Sequence, residues 1–165
     1  MKNYAIYPGT FDPFTSGHFS IIKRGLKVFD NLIVLVANNS QKTIMFSVEE
    51  RLHFINKVIE YENLKERVKV DSFDSLLVDY CKKKGITTVI RGIRPLIDFD
   101  YEFELAMTNR QLYPDLETVF ILTDEEHFYL RSTLVKDVIR LGGDVANKLH
   151  PAIKKEIIDK IIKMN

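Results

Sequence analysis

The stretch YPGTFDPFTSGH, from Tyr7 to His18, decides how this chain is expected to fold. It follows a short apolar run and precedes a segment whose apolar residues recur at helical spacing. A strand, a loop with glycines and a helix start therefore follow one another closely. The N-terminus of a helix offers free backbone N–H groups and the positive end of a dipole, which favour anions. Because the hydroxyl of Thr10 comes just after the strand and His18 falls in the first helical turn, this stretch predicts an anion-binding loop.

The composition limits the class of protein. The chain has 165 residues and is interpreted as one domain over residues 1–165. Its 24 basic residues nearly balance 23 acidic ones, so the net charge of +1 gives no reason to expect a nucleic-acid partner. The strongest apolar run, Leu32 to Ala37, is too short to cross a bilayer, and Pro8 interrupts the apolar N-terminus, so neither a membrane partner nor a signal peptide is expected. The single cysteine, Cys81, is interpreted as a core thiol of a cytoplasmic protein.

Strand-like and helical segments alternate along the chain. Continuous β-branched runs such as NLIVLVA are typical of strands that are buried on both faces of a parallel sheet. The predicted strands are Tyr4 to Tyr7, Asn31 to Ala37, Val68 to Ser72, Thr87 to Ile90 and Thr118 to Leu122. The predicted helices are His18 to Phe29, Ser47 to Tyr61, Ser75 to Lys84, Asp98 to Leu112, Ser132 to Leu141 and Pro151 to the C-terminus. This alternation predicts an α/β fold with a doubly wound, five-stranded parallel sheet and a C-terminal helix.

Two helix ends carry explicit signals. Ser47 with Glu50 three residues later is the pattern of a capping box, which predicts a helix start. Three consecutive lysines precede Gly85, where cations suit the end of the helix dipole and glycine suits the cap.

Cationic and hydroxyl side chains follow the predicted strands at their carboxyl ends, where doubly wound sheets bind ligands. Lys42 follows the second strand, and the RGIR turn at 91–94 follows the fourth. The loop after the fifth strand contains Arg131 and leads into a helix that starts at Ser132. Taken singly, each group has an ordinary explanation as a solvated charge, a turn or a helix N-cap. Because all of them lie on the ligand side of the sheet, together they favour a polyphosphate site.

The common nucleotide-binding fingerprints are missing from the sequence. It contains no G-x-x-x-x-G-K-[ST], and no G-x-G-x-x-G follows the first strand, so neither a P-loop NTPase nor a dinucleotide-dependent oxidoreductase is favoured. The histidines and the lone cysteine do not have metal-ligand spacing, so no metal site on the protein itself is expected. His53 and His150 are interpreted as structural or surface residues.

Two motifs resemble the signatures of the nucleotidyltransferase superfamily. GTFDPFTSGH resembles its T/H-x-G-H signature, and RSTLVK resembles its second signature, a Ser/Thr-rich helix start followed by a basic residue. Within that superfamily, nearly the whole chain resembles the bacterial phosphopantetheine adenylyltransferases. Further matching segments are EER at 49–51, IRGIR at 90–94, DFDYE at 98–102, MTNR at 107–110 and LVKDV at 134–138. The resemblance implies a Rossmann-like nucleotidyltransferase fold.

The resemblance also implies a reaction. ATP and 4′-phosphopantetheine would give dephospho-coenzyme A and pyrophosphate, the penultimate step of coenzyme A biosynthesis. Mg²⁺ is expected as the cofactor, held mainly by the ATP phosphates, and members of the family assemble as homohexamers.

Residue roles carried over from the family follow the positions that match. His18 should hold the ATP phosphates and stabilise the transition state, and the expected catalytic residues are His18, Lys42 and Arg91. The expected phosphopantetheine contacts are Thr10, Lys42, Leu77 and Arg91. The expected ATP contacts are Thr10, Phe11, His18, Gly92, Ile93, Arg94, Glu102, His127, Phe128, Tyr129, Leu130, Arg131, Ser132 and Thr133.

Three positions depart from the family pattern. The family usually has serine at the position of Arg131, often an aromatic residue at that of His127, and often proline at that of Ile44. Arg131 is interpreted either as an extra phosphate clamp or as a solvated side chain.

The implied chemistry needs no general base. The attacking phosphate monoester is already anionic at neutral pH, since its second pKa lies near ~6. Catalysis would therefore rest on positioning and electrostatic stabilisation.

Two alternatives stay open at this point. One is a nucleotidyltransferase with another acceptor, such as nicotinate mononucleotide or a polyol phosphate, although many of those carry histidine where this chain has Thr15. The other is a nucleotide-binding sensor, which would need a broken catalytic set.

Overall fold

The computed structural model describes residues 3–38, 44–94, 99–145 and 147–164. It has five parallel strands: β1 (Tyr4–Gly9), β2 (Asn31–Ala37), β3 (Val68–Phe73), β4 (Thr88–Ile93) and β5 (Glu117–Leu122). Its helices are α1 (Ser16–Gly25), α2 (Val48–Tyr61), α3 (Leu77–Lys84), α4 (Phe99–Leu112), α5 (Ser132–Arg140) and α6 (Pro151–Lys163), with a short 3₁₀ turn at Glu125–His127. The predicted α/β fold with a doubly wound sheet is confirmed.

The strand order is β3-β2-β1-β4-β5, so the order reverses between β1 and β4. Tyr4 to Gly9 of β1 pair in register with Asn31 to Val36 of β2, and Ile6 pairs with Val89 of β4 on the other side. Both flanks of the central strand are thus hydrogen-bonded. Its side chains also pack against helices on both sides of the sheet, so the β1 core is buried on both faces, as the apolar composition predicts.

Two apolar layers cover the sheet. The larger contains buried residues of α1, α2, α5 and α6, and the smaller lies against α3 on the opposite face. Cys81 belongs to the smaller layer, and burial raises the pKa of its thiol to about 11, which confirms its interpretation as a core residue. In the described parts of the chain, no helix combines the length and apolar character needed to span a membrane.

The helix-end signals behave as expected. Ser47 and Glu50 make the reciprocal bonds of a capping box at the start of α2. Gly85 ends α3 in the left-handed conformation, with φ of 64°.

The predicted bounds of α1, His18 to Phe29, are wrong, since the helix spans Ser16–Gly25. The difference that matters most for the site concerns β4. The sequence interpretation ended this strand at Ile90 and placed Arg91 in a loop, which is wrong. Backbone pairing with β5 continues as far as Ile93 opposite Leu122. Arg91 and Gly92 are therefore strand residues, and their positions are fixed by the sheet. Asp98, the expected first residue of α4, lies outside the described residues.

Candidate active site

A cavity of about 570 Å³ lies at the switch point, where the carboxyl ends of β1 and β4 meet. Its walls come from the β1–α1 loop, the end of β4, α4 and the chain from position 123 into α5. Of the residues expected at the site, twelve line it: Thr10, Phe11, His18, Arg91, Gly92, Arg94, Glu102, His127, Leu130, Arg131, Ser132 and Thr133. The structure thus brings these twelve residues to one edge of the sheet, while the substrate contacts expected of them stay predictions.

His18 lies in the first turn of α1, which Thr15 caps. The backbone N–H of Thr15 donates to Nδ1 of His18 over 3.0 Å, and the hydroxyl of Thr15 lies 3.0 Å from the same atom. Because Nδ1 accepts a backbone hydrogen bond, the neutral ring carries its proton on Nε2. The rings of Phe11 and Phe14 pack against the imidazole, with centroids 5.1 and 5.6 Å away.

The charge of His18 is set by these surroundings. Burial, with smaller contributions from Arg94 and Arg91, lowers the pKa of His18 from 6.5 to about 4. The side chain is therefore uncharged at neutral pH and offers Nε2–H as a donor. The neutral state was not evident from the sequence, because it depends on contacts with residues distant along the chain.

Arg91 and Glu102 form a two-point ion pair in the cavity wall. Nε of Arg91 lies 2.6 Å from Oε2 of Glu102, and Nη2 lies 2.5 Å from Oε1. The third donor, Nη1, reaches the carbonyl oxygen of Pro8 at 2.9 Å. Burial acts to lower the pKa of Arg91, but the Glu102 carboxylate outweighs it and holds the pKa above its usual value. One pair thus joins a residue expected to contact phosphopantetheine to a residue expected to contact ATP.

A second buried ion pair, Asp12 with Lys136, was missed at the sequence level. Nζ of Lys136 lies 2.6 Å from Oδ2 of Asp12, and both residues line the cavity. The backbone N–H groups of Met45 and Phe46 donate to the same carboxylate, over 3.1 and 2.9 Å. Both residues stand in the signature motifs, GTFDP and RSTLVK, which is the signal that could have indicated a shared role.

Arg51 holds two of the neighbouring loops together. Its guanidinium is 1% exposed and donates to four backbone carbonyls, those of Thr10, Ala37, Phe46 and Ser47. Burial lowers the pKa of Arg51. The β1–α1 loop and the chain that leads into α2 are therefore tied by one side chain. This residue stands in the matching EER segment, although no role was predicted for it.

The chain between β5 and α5 forms the wall on the side expected for ATP. Asp124 accepts hydrogen bonds from Ser20 and from Arg24, the latter at 2.6 Å, which fixes the start of this segment against α1. His127 is buried and Arg131 is exposed. Arg94 donates to the carbonyl oxygen of Leu130 over 3.2 Å.

Ser132 does not cap α5, contrary to one of its sequence interpretations. The N-cap is Arg131, which makes no side-chain capping bond, and the hydroxyl of Ser132 instead donates to the carbonyl oxygen of Pro13 over 2.9 Å. The two signature motifs therefore touch.

Four of the expected site residues that the structure describes do not line the cavity. Leu77 packs against the smaller core layer, Phe128 is half-buried and Tyr129 is 82% exposed. Ile93, the last residue of β4, is half-buried. Lys42 lies outside the described residues, so its place in the site stays a prediction.

The two histidines that were interpreted as structural or surface residues are confirmed as such. The His53 side chain is 55% exposed and pairs with Glu156. His150 caps α6 and pairs with Glu62 at 3.0 Å. Among the residues that the structure describes, no group of three or more His, Cys, Asp and Glu side chains could hold a metal ion.

The fold and the site together define a nucleotidyltransferase. Residues 6–138 match the model of the cytidylyltransferase-like family. The structure is similar to that of a putative nicotinate-nucleotide adenylyltransferase from Vibrio parahaemolyticus, with a TM-score of 0.72 and 17% identity over 100% of this chain and 98% of that one. It is also similar to a Plasmodium falciparum nicotinic acid mononucleotide adenylyltransferase, with a TM-score of 0.69 and 17% identity over 100% and 96% of the two chains. At this identity the structural likeness shows the fold alone.

Sequence relatives narrow the class further. The chain is 46% identical to the phosphopantetheine adenylyltransferase of Anaeromyxobacter dehalogenans, over 98% of this chain and 96% of that protein. It is 44% identical to the phosphopantetheine adenylyltransferase of Syntrophus aciditrophicus, over 100% and 98% of the two chains. The chain belongs to the phosphopantetheine adenylyltransferase family, and the resemblance recognised in its motifs is confirmed. It is accordingly an enzyme of nucleotidyl transfer.

Proposed function

We propose that the protein transfers the adenylyl group of ATP to 4′-phosphopantetheine and releases pyrophosphate, producing dephospho-coenzyme A in coenzyme A biosynthesis. The observation that carries the proposal is the cavity at the β1–β4 switch point. There, the neutral His18 donor and the Arg91–Glu102 pair face the start of α5 across one space. The substrate ATP also supports a cytoplasmic location.

The reaction is an in-line displacement at phosphorus. An oxygen of the acceptor phosphate forms a bond to the α-phosphorus of ATP, while the bond from that phosphorus to the bridging oxygen breaks and pyrophosphate leaves with the electron pair. The acceptor's second pKa near ~6 makes it a dianion at neutral pH, so no side chain has to remove a proton. What the protein must supply is alignment of two anions and neutralisation of the charge on the transferring group.

His18 supplies a hydrogen bond rather than a positive charge in this mechanism. Its Nδ1 is occupied by the backbone of Thr15, so the ring is fixed and Nε2–H is the donor. A neutral donor keeps its proton throughout the reaction, and the hydrogen bond strengthens as negative charge grows on the phosphoryl oxygens. The expected acceptors of this bond are the ATP phosphates.

The net positive charge comes from Arg94 and, outside the described residues, Lys42. Arg91, whose charge Glu102 balances, contributes directed N–H donors instead. The ion pair with Glu102 holds the plane of the Arg91 guanidinium, and so determines where its remaining edge can meet the acceptor phosphate. Glu102 is expected on the nucleotide side. We propose that Leu77 contacts the uncharged arm of phosphopantetheine.

Mg²⁺ fits the site as a partner of ATP. Two carboxylates of the cavity wall, Asp12 and Glu102, are each neutralised by a buried cation, so the ATP phosphates would be its main ligands. When bound, the ion would neutralise phosphate charge and help pyrophosphate to leave.

We also propose a homohexameric assembly, in line with the family. The side chains of Phe99, Phe103 and Met107 recur every four residues on one face of α4 and are between 43% and 49% exposed. A second copy of the chain that covers this apolar face would account for that exposure. Light scattering should report a hexamer that Phe103→Glu and Met107→Glu weaken, while a monomer at micromolar concentration would overturn the assembly.

A panel of acceptors tests the function. The protein is incubated with ATP, Mg²⁺ and either 4′-phosphopantetheine, nicotinate mononucleotide or a polyol phosphate, and pyrophosphate release is measured. We expect release only with 4′-phosphopantetheine. Release with nicotinate mononucleotide would favour the other acceptor class, and ATP binding without release would favour a sensor.

A further inference from the structure

The Asp12–Lys136 pair joins three separate segments of the chain beside the cavity. Asp12 belongs to the β1–α1 loop, Lys136 to α5, and the backbone donors to Asp12 belong to Met45 and Phe46, just before α2. Asp12 is 7% exposed and Lys136 is 8% exposed. None of the steps of adenylyl transfer described above uses either charge.

We propose that Asp12 and Lys136 are a positioning pair that holds the β1–α1 loop at a fixed distance from α5. His18 and Thr10 stand on the first of these walls, and Ser132 and Thr133 stand on the second. The inference rests on the proposed function, since it assigns the pair to the alignment of the two substrates in that reaction.

The geometry favours this role over a direct phosphate contact by Lys136. Its ammonium is 2.6 Å from a carboxylate, so the pair as a whole carries no net charge toward a ligand. The four hydrogen bonds to Asp12 also come from two other segments, the chain at 45–46 and α5, so the carboxylate connects three segments, which is the arrangement that a spacer needs.

Burying two charges carries a desolvation penalty, and an apolar pair of similar volume commonly replaces such an ion pair without loss of stability. An ion pair at this place is therefore better explained by the geometry that it imposes than by stability. A charged hydrogen bond has a narrow optimum in distance and direction, whereas apolar contacts tolerate sliding.

Two single variants and their combination separate the roles. Asp12→Asn keeps Oδ1, which accepts from Phe46 at 2.9 Å, and replaces Oδ2, which faces Lys136, by an amide donor. Lys136→Met removes the ammonium with little change in side-chain length. The double variant has no buried charge at the pair, so it remains folded even where a single variant does not.

Lys160→Met is the matched control. Lys160 makes an ion pair of the same length, 2.6 Å, with Glu50, but on α6 and outside the cavity. Thermal unfolding and steady-state kinetics with ATP and 4′-phosphopantetheine are measured for the parent protein and all four variants.

We expect Asp12→Asn and Lys136→Met to lower kcat by similar factors, about tenfold to a hundredfold, because misplacement by ~1 Å can cost 10²-fold. The double variant should be no slower than either single variant and should regain thermal stability without regaining turnover. Lys160→Met should keep the parental kcat.

Three outcomes would overturn the pair as a positioning element. A much larger loss in Lys136→Met than in Asp12→Asn would make Lys136 a direct phosphate ligand. Recovery of turnover together with stability in the double variant would make the pair structural only, and parental kcat in both single variants would deny it any part in alignment. An inactive parent protein would instead overturn the proposed function.

Discussion

The backbone N–H of Thr15 donates to Nδ1 of His18 over 3.0 Å, so the N-cap of α1 also sets the tautomer of the imidazole that faces the cavity. The cap and the ring are three residues apart in the signature motif, and the helix fixes their geometry. The same turn that makes an anion site at the helix N-terminus therefore prepares its side-chain donor.

The pKa of His18 should be measurable directly. Nitrogen chemical shifts of the imidazole, followed by NMR as pH is lowered, should report a neutral Nε2–H form down to about pH 4. The cause is burial, reinforced by Arg94 and Arg91. A titration midpoint near 6.5, or a proton on Nδ1, would contradict the structure.

The depressed pKa also makes stability depend on pH. In the unfolded chain His18 binds its proton near pH 6.5, whereas the folded protein binds it only near pH 4, so the unfolded state gains protons first as pH falls. His18 therefore lowers the free energy of unfolding below about pH 6.5, by on the order of 2 kcal/mol at pH 5, and has no such effect above pH 7. Urea unfolding should show that His18→Gln loses less stability than the parent protein between pH 7 and pH 5. Equal losses would show that the pKa is not depressed.

Removing the imidazole should affect turnover far more than folding. We expect His18→Ala to lower kcat by roughly 10²–10³, the usual cost of one donor to a transition-state oxygen. Steady-state kinetics and circular dichroism check the two properties. His53→Ala is the control, because its half-exposed ring lies on α2 and pairs only at the surface. Near-normal kcat in His18→Ala would reject its role.

Arg51 and Arg67 both donate to several backbone carbonyls but differ in burial, so comparing them tests the effect of burial on stability. Arg67 also donates to three backbone carbonyls, of Leu26, Phe29 and Asp30, but it is exposed. In Arg67→Met water can replace the lost donors, so the free energy of unfolding should fall by at most about 1 kcal/mol. Arg51→Met leaves one buried and three partly buried carbonyls without this donor and should cost about 3 kcal/mol or more, since each buried acceptor left unpaired costs ~1–3 kcal/mol. Equal costs in urea unfolding would contradict this assignment.

Arg91→Lys tests whether the two-point geometry of the pair matters. Lysine keeps the charge but cannot make two parallel bonds to Glu102, so the charged group is no longer held in one position. We expect kcat/KM for 4′-phosphopantetheine to fall by at least about tenfold, a loss of ~1.4 kcal/mol in transition-state binding. Arg110→Lys, whose pair with Glu117 is exposed on both sides, should leave the kinetics unchanged. Parental kcat/KM in Arg91→Lys would show that charge alone suffices.

Local signals in the chain predicted most of the fold. The β-branched run of β2 has the bounds Asn31–Ala37 in both sequence and structure, and the Ser47–Glu50 box starts α2 where expected. These signals are local, since strand pattern and capping depend on neighbours within a few residues. The end of β4 was missed because glycine and arginine are weak strand formers, and pairing with β5 overrides that preference.

The sequence by itself determined which chemical groups reach the ligand edge, because parallel strands deliver their following loops to one side of a sheet. Only the tertiary structure decided the charge and the hydrogen-bond partners of those groups. Lys136 meets Asp12 across 124 positions of chain, Arg91 meets Glu102 from a strand, and His18 loses its charge among aromatic rings and two guanidinium groups. Charge state and hydrogen-bond partner depend on burial and on distances between remote residues, and neither is encoded in any short stretch of sequence.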